Sequence, residues 1–372
     1  MKMIKLDCVY YLGEKPCKFK RVCEGCEDYR PMGVRILVLK HAAMGDVLRT
    51  TPVLHGLKRK YPHSHITWVT DPSAADLLRY NPFIDTLLLY DASTLARLAV
   101  EEFDVIISLD KEQRVAALAM TTTAHEKLGV GLSPFGTVYP LNIDAEYYFS
   151  LGLSDEIKFF QNRKGYQELV FDASKLDYHK DDYVLEVPDK FLEFGRKRLE
   201  SLGVARNDIV IGLNTGAGGI FANKDWTTEG YVGLIEKLTH ERHVKVALLG
   251  GKAEKEKNHE ILSRSKGKAF DTGSDNSLLE FSGIVNGCDV VVTGDTLGMH
   301  IAIALKKQVL VIFGSTCSQE IELYGRGEKI TPKIDCAPCY KRVCEKEVTC
   351  MTLTTVDEVY DAVKRLMAGM HS

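Results

Sequence analysis

Asp46 and Lys224 are the two residues whose surroundings best suit catalysis. Asp46 follows a loop containing Gly45, and a carboxylate at this point could remove a proton from a bound hydroxyl group. An aspartate at a helix start is also a common N-cap, which the local pattern alone favours. Lys224 could hold one positive charge against a phosphate, although a solvated surface lysine is the simpler interpretation.

Three glycine-containing loops in the second half of the chain suit a nucleotide. In the loop at 215–219, the glycines would let a phosphate come close to the backbone. In the loop at 294–300, the free N–H groups at the start of a helix could bind a phosphate. Glu254, after Gly250–Gly251, could bind ribose hydroxyls or simply favour a helix dipole. A capped helix with a satisfied buried histidine would equally explain the last loop. With Gly45, the donor-binding candidates are Thr215, Gly216, Glu254, Asp295, Thr296, Gly298, Met299 and His300.

Basic residues after Asp46 could meet an anionic acceptor. Arg49, Lys58 and Arg59 lie within the helix predicted over 46–60. Cations in the last turn of a helix are also stabilised by the helix dipole, and this explanation is open for Lys58 and Arg59.

Eight of the ten cysteines fall into two groups. The first group is Cys8, Cys17, Cys23 and Cys26, and the second is Cys336, Cys339, Cys344 and Cys350. In a reducing compartment such groups indicate a structural zinc or an iron centre, either iron alone or iron–sulfur. Disulfides, free thiols, and one shared site rather than two are alternatives. A structural role is favoured over a catalytic one, because a closed four-cysteine site leaves no open coordination position.

The composition fits a globular enzyme of two domains. The chain has 372 residues, 45% of them hydrophobic and 27% charged, and a formal net charge of −3. This charge argues against a nucleic-acid partner, which would favour a basic protein. No apolar run reaches the roughly 18–20 residues that span a bilayer, and the start lacks a secretory signal. We expect a cytoplasmic protein, with peripheral contact at the inner face of the inner membrane possible.

Alternating strands and helices position these candidates. Strands are predicted at 34–39, 66–69, 86–89, 105–109, 209–213, 244–249, 289–293 and 309–313. Helices are predicted at 46–60, 73–79, 95–101, 112–120, 191–202, 228–241, 253–264, 277–286, 296–305 and 356–367. The alternation predicts an α/β protein with two facing Rossmann-like domains, each built on a parallel sheet. Residues 133–180 are interpreted as an excursion followed by a linker.

The ordered loops resemble glycosyltransferase family 9, the ADP-heptose:lipopolysaccharide heptosyltransferases. The resemblance rests on 35–39 leading into 44–52, on Lys224-Asp225-Trp226, on 248–251 with Glu254, and on 294–296 with His300 and 313–316. It covers about residues 34–330. Leu297-Gly298 and Ser315 depart from the family pattern, which leaves the donor and acceptor identities open.

This resemblance implies a GT-B fold and inverting transfer of heptose from ADP-heptose to a glycolipid or glycan, without a catalytic metal. Asp46 would be the general base, Lys224 would lie near the donor phosphates, and Glu254 would bind the ribose. The implied domains are an acceptor domain over 34–180, after a Cys-rich extension over 1–33, and a donor domain over 181–355. A last helix within 356–372 would pack back on the first domain.

Two other functions stay open. The same fold could use another nucleotide sugar or a protein acceptor. A metal-containing binding or redox-sensing protein on a transferase scaffold is the alternative from another class, although the presence of Asp46, Lys224 and His300 together disfavours it. The absence of a G-x-G-x-x-G sequence after 34–39 disfavours a nicotinamide dehydrogenase.

Overall fold

A computed structural model describes residues 4–218 and 221–370. Gly219, at the end of the loop predicted over 215–219, lies outside the described residues. The architecture is two α/β halves, each with one six-stranded sheet.

The first sheet is parallel except at one edge. Its strands are β1 (Val34–Leu39), β2 (Ser64–Thr70), β3 (Thr86–Leu89), β4 (Glu102–Ser108), β5 (Thr123–Leu132) and β6 (Val138–Pro140). The order is β3-β2-β1-β4-β5-β6, and only β6 is antiparallel to its neighbour among these pairs. From Ile36 to Leu39 the central strand β1 is fully buried, as expected for a strand covered by helices on both faces.

Seven helices accompany the first sheet in the described part of the chain. They are α1 (Met44–Thr50), α2 (Val53–Lys60), α3 (Ala75–Leu78), α4 (Ala92–Leu98), α5 (Gln113–Thr121), α6 (Glu146–Ser150) and α7 (Tyr166–Ala173). Short 3₁₀ turns cover Pro72–Ala74 and Ile143–Ala145, and a π-helical turn covers Glu156–Gln161.

The second sheet is parallel throughout its described pairs. It contains β7 (Ile209–Asn214), β8 (Val244–Leu249), β9 (Phe270–Asp271), β10 (Val290–Thr293), β11 (Gln308–Ile312) and β12 (Gly327–Ile330), in the order β12-β11-β10-β7-β8-β9. The helices are α8 (Asp189–Ser201), α9 (Thr228–Leu238), α10 (Lys255–Arg264), α11 (Leu278–Asn286), α12 (Leu297–Ala304), α13 (Cys350–Leu353) and α14 (Val356–Gly369), with a 3₁₀ turn at Lys252–Glu254.

Several predicted elements are corrected by the structure. The single helix predicted over 46–60 is two helices, because Pro52 lacks the N–H that would continue the hydrogen-bond ladder. The helix predicted to begin at 95 begins at Ala92, since the Asp91 side chain caps it by accepting from the Thr94 N–H at 2.8 Å. Residues 133–180, predicted as an excursion followed by a linker, contain β6, α6 and the well-buried α7, so regular structure continues to Ala173.

The last helix packs on the second half, which corrects the prediction that it returns to the first domain. The buried face of α14 includes Val359, Val363 and Leu366. These side chains belong to one hydrophobic core with residues of α9 and of the second sheet, including Leu234 and Leu310. Helix α14 is thus part of the hydrophobic core of the second half.

The two halves also share a core. Leu48 of α1 and Leu77 of α3 belong to the same buried cluster as Met299 and Ile301 of α12 and Ile284 of α11. The helix that carries Asp46 is therefore packed on the opposite domain. No helix in the described ranges combines the length and the apolar character needed to cross a bilayer.

Two glycines let α8 and α11 pack backbone to backbone, and this generates a stability prediction. A Cβ added at Gly195 would lie 2.1 Å from the Gly283 carbonyl oxygen, where it cannot fit. We expect Gly195→Ala to lower the free energy of unfolding by about 1–3 kcal/mol, measured by urea denaturation. The matched control Lys197→Ala, on the exposed face of α8, should change it by less than about 0.5 kcal/mol. Equal stability of the two variants would contradict the packing argument.

Candidate functional site

Asp46 lies in the first turn of α1, just beyond the carboxyl end of β1. Its side chain is 38% exposed, and Oδ1 lies 2.8 Å from the Arg49 guanidinium, one turn further along the helix. No side-chain cap is present at the start of α1, where Ala43 occupies the N-cap position. Asp46 therefore does not act as the N-cap, and its carboxylate pairs with Arg49.

Arg49 is held in place from several sides. Its guanidinium carbon lies 3.8 Å from the centroid of the Tyr166 ring, a close cation–π contact, and its Nη1 lies 3.9 Å from a carboxylate oxygen of Glu320. Its backbone carbonyl accepts from the Gln167 side chain at 3.1 Å. Arg49 thus fixes the orientation of Asp46, and its contact with an acceptor stays a prediction.

A buried ion pair supports the loop before α1. Lys40 directly follows β1, and its ammonium lies 3.2 Å from Asp110, which follows β4. The same Asp110 oxygen accepts from the backbone N–H groups of His41 and Ala42 at 3.2 and 3.3 Å. The carboxylate therefore ties the ends of two neighbouring strands and sets the path of the chain towards Asp46.

Lys224 and Asp295 form the corresponding charged pair in the second half. Lys224 lies between β7 and α9, Asp295 lies between β10 and α12, and their charged atoms are 3.4 Å apart. Gly294 is required between them, because a Cβ there would lie 1.8 Å from the Lys224 carbonyl oxygen. Burial alone would raise the pKa of Asp295, but the nearby Lys224 ammonium outweighs it and holds this pKa below its usual range.

The start of α12 is organised by hydroxyl groups. Thr296 caps the helix, and its Oγ1 accepts from the Met299 N–H at 3.4 Å. The Asn214 amide at the end of β7 donates to the hydroxyls of Thr293 and Thr296, both at 3.0 Å. Gly298 allows this approach, since a Cβ there would lie 2.8 Å from the Asn214 side chain. Met299 is fully buried, so its side chain belongs to the core and not to an open donor site.

The Glu254 side chain hydrogen-bonds back to the backbone of the loop that follows β8. Its Oε2 accepts from the Gly251 N–H at 2.7 Å, and its Oε1 would lie 2.4 Å from a Cβ at Gly216. Gly216 therefore lets the carboxylate approach the loop after β7. Thr215, in contrast, is fully buried and its hydroxyl donates to Asn258 at 2.5 Å. The predicted donor contact through the Thr215 side chain is not supported by this position.

His300 joins the two halves of the site. A Cβ at Gly45 would lie 2.6 Å from Cδ2 of the imidazole, so only glycine allows α1 to approach α12 this closely. The imidazole Nδ1 lies 3.3 Å from the Tyr183 hydroxyl, which also accepts from the Gln167 amide at 3.2 Å. His300 therefore lies where α1 meets α12, and the charges of Asp46 and Asp295 both act on its imidazole.

The protonation states at the cleft follow from burial and charge. Burial, helped by the Arg49 charge, lowers the pKa of His300 to about 4, so the imidazole is neutral at pH 7. For Asp46, burial alone would raise the pKa, but the positive charges of Arg49 and Lys40 outweigh this effect and the net pKa is lowered. Asp46 is accordingly a carboxylate at neutral pH.

Lys58 and Arg59, which were predicted to bind the acceptor substrate, are instead held in ion pairs away from Asp46. Lys58 donates to the Ser64 carbonyl and lies 3.4 Å from Asp85, at the amino-terminal edge of the first sheet. Arg59 forms a bidentate pair with Asp181, at 2.5 and 2.8 Å. Because the cleft lies at the opposite, carboxyl edge, the structure corrects the assignment of Lys58 and Arg59 to acceptor binding.

Sequence reasoning missed a further lysine at the cleft side. Lys111 follows Asp110 and donates to the carbonyls of Tyr148 and Phe149 at 3.0 and 3.2 Å. Burial, followed by the neighbouring Lys158 charge, lowers its pKa to about 8. The available signal was its place directly after the strand predicted at 105–109, where ligands of parallel sheets bind.

The cysteines are all free in the described residues, which include all ten. In these residues no set of three or more histidine, cysteine or acidic side chains is arranged to hold a metal ion. Neither predicted cysteine group therefore has the geometry of a single-ion site. In the second group, the Cys339 N–H donates to the Ser315 carbonyl at 3.0 Å, which packs this loop beside the second sheet.

The family comparison and a curated relative both identify similarity to heptosyltransferases. The family model of glycosyltransferase family 9 (heptosyltransferase) matches residues 93–349. The lipopolysaccharide core heptosyltransferase OpsX of Haemophilus influenzae is 24% identical over 281 residues, which cover 72% of this chain and 75% of that protein.

Solved structures agree on the fold. The glycosyl transferase family 9 structure from Veillonella parvula has a TM-score of 0.75 and 20% identity, covering 90% of this chain and 98% of that one. The structure of E. coli ADP-heptose lps heptosyltransferase II has a TM-score of 0.66 and 17% identity, covering 91% and 100%. The predicted GT-B fold is confirmed.

The neutral state of His300 generates a pH prediction. The pKa is about 4 in the folded chain and about 6.5 when unfolded, so between these values only the unfolded chain binds the proton. Its contribution to stability is complete above pH 6.5 and is lost as the pH falls towards 4. In urea unfolding from pH 7 to 4.5, His300→Gln should flatten this loss by up to about 1.4 kcal/mol per pH unit. The exposed control His259→Gln should leave the slope unchanged. An unchanged slope in His300→Gln would contradict a buried neutral imidazole.

Proposed function

Because the chain belongs to glycosyltransferase family 9, the heptosyltransferase family, we propose that it transfers heptose from ADP-heptose to a hydroxyl group of a lipopolysaccharide core or a related glycan. The observation that carries this proposal is the contact of Gly45 with His300, which sets Asp46 opposite the Lys224–Asp295 pair. His300 interacts electrostatically with both Asp46 and Asp295, in keeping with one shared site.

Asp46 acts as the general base. Its carboxylate is ionised at neutral pH, partly exposed at the cleft, and oriented by Arg49 at 2.8 Å. As the acceptor oxygen forms the new bond to the anomeric carbon, Asp46 takes the hydroxyl proton. Such a positioned base contributes typically about 10²–10⁴-fold to the rate.

The second domain stabilises the leaving group. Negative charge develops on the diphosphate as the bond to the anomeric carbon breaks, and a preorganised cation there lowers the barrier. Lys224 supplies this cation, and the start of α12 adds the positive end of a helix dipole. Asp295 holds the lysine side chain in place at 3.4 Å.

Inversion at the anomeric carbon is part of this proposal. With Asp46 as a base that acts on the acceptor hydroxyl, the acceptor oxygen displaces the diphosphate directly and no covalent sugar–enzyme intermediate is needed. A single displacement then produces the inverted product. Heptosyltransferase II, whose fold this chain shares, carries ADP-heptose in its name, which supports that sugar as the donor.

Asp46→Asn tests the general base. The amide has nearly the same shape and cannot take the proton, so kcat should fall by about 10²–10⁴-fold while ADP-heptose affinity is preserved. Transfer is measured with ADP-heptose and a core acceptor, and binding by calorimetry. The control Asp76→Asn, an exposed carboxylate on α3 paired with Arg79, should retain full activity. Wild-type kcat in a correctly folded Asp46→Asn variant would sink the assignment.

Lys224→Met tests the leaving-group site. Loss of the cation should lower kcat by about 10²–10³-fold and weaken ADP binding. The thermal shift caused by ADP should shrink relative to the wild type, in which ADP is expected to stabilise more than UDP or GDP. The control Lys237→Met removes a partly exposed lysine in the last turn of α9, where it pairs with Asp357, and should change neither quantity. If Lys224→Met keeps the wild-type kcat and the wild-type thermal shift with ADP, Lys224 has no role in the mechanism. If UDP or GDP stabilises the wild-type protein more than ADP does, the donor is not ADP-heptose.

A further inference from the structure

The N-terminal module, defined as residues 4–33, lacks a core that could hold it together. It contains no helix or strand, and its regular backbone pairing is limited to one isolated antiparallel β-bridge between Cys8 and Pro31. Cys8 is the only buried residue of the module, whereas large apolar side chains such as Leu6 and Val22 are 74% and 60% exposed. A segment of this size usually needs a disulfide or a metal to be stable.

The four cysteines of the module share one local conformation. Each carbonyl accepts a hydrogen bond from the N–H group three residues later, which closes a reverse turn at every cysteine. These hydrogen bonds are Tyr11 to Cys8 at 2.9 Å, Lys20 to Cys17 at 2.9 Å, Cys26 to Cys23 at 3.3 Å and Tyr29 to Cys26 at 3.4 Å. Turns are therefore the main regular structure of the module, and every one of these turns begins at a thiol-bearing residue.

The turns surround a single cavity. All four cysteines line it, and its volume is about 250 Å³. This volume is several times the roughly 30 Å³ that one water molecule occupies in the liquid. The module thus places its four thiol-bearing residues around one partly open cavity.

The cavity does not suit a single ion. Four thiolates around one zinc lie about 2.3 Å from it and leave no internal space. Within the described residues, no three potential ligands are gathered in that way. Disulfides are also absent, since Cys8, Cys17, Cys23 and Cys26 are all free. A polynuclear cluster, in contrast, needs its four thiolates spread around a larger centre.

We propose that the N-terminal module binds an iron–sulfur cluster through Cys8, Cys17, Cys23 and Cys26. Four cysteine thiolates are the ligand set of [2Fe–2S] and [4Fe–4S] clusters alike. Three cations also line the cavity, Lys5, Lys15 and Arg21, against one carboxylate, Asp28. This excess of positive charge offsets the negative charge of a thiolate-bound cluster. The cluster takes the place of the missing core and is a structural element, independent of the proposed glycosyl transfer.

The occupant is tested on the full-length protein purified without oxygen. Iron, acid-labile sulfide and zinc are measured, together with the visible spectrum. We expect iron and sulfide in equal amounts per chain, with a broad visible absorption that dithionite bleaches. The proposal would be overturned by one zinc per chain or by iron without sulfide. It would also be overturned by a metal-free protein whose far-UV circular dichroism spectrum is that of a fully folded chain.

The location is tested with a matched pair of variants. Cys17→Ser/Cys23→Ser should lose the sulfide and the visible absorption, whereas Cys339→Ser/Cys344→Ser, which alters the C-terminal group, should keep both. The opposite pattern would overturn the assignment to the N-terminal module. A second measurement needs no variant, because alkylation of the wild-type protein should label the four N-terminal cysteines only after the iron is chelated. Equal labelling before and after chelation would also overturn it.

Discussion

The close approach of Gly45 to the His300 imidazole is the contact on which the site depends. A single added methyl group would lie 2.6 Å from the ring, so α1 and α12 can meet only because position 45 has no side chain. This approach packs the helix that carries Asp46 against α12, whose start lies beside the Lys224–Asp295 pair. The proposed base and the proposed leaving-group site are thereby positioned by backbone packing and not by flexible side chains.

The sequence predicted those parts of the fold that depend on local patterns. The strand β1 and the strand β8 have the predicted bounds, because each is a short apolar run between turns, interrupted only by Arg35 in β1 and by Lys245 in β8. The strand β5 was not predicted, since its exposed start contains His125, Glu126 and Lys127 and its end contains glycines. Its pairing with β4 supplies the stability that local propensity does not.

The site could be predicted only where a side chain acts from a strand end or a helix start. Asp46 and Asp295 fulfil this condition, so their positions were predictable from spacing. Lys224 lies within the loop between β7 and α9 and was singled out by the family resemblance. Long-range pairings were not: Arg59 is held by Asp181, 122 residues away, which removes it from the cleft. The Lys40–Asp110 pair was missed for the same reason, because no local pattern shows that two strand ends will share one carboxylate.

The buried cluster shared by α1, α3, α11 and α12 makes the two halves one cooperative unit. Leu48 and Leu77 lie in a core whose other members come mainly from the second domain. Separating the halves would expose these side chains to water, at about 25 cal/mol for each Å² of apolar surface. Either half expressed alone would therefore carry an uncovered apolar face, and gene fragments of this protein would yield aggregation-prone polypeptides.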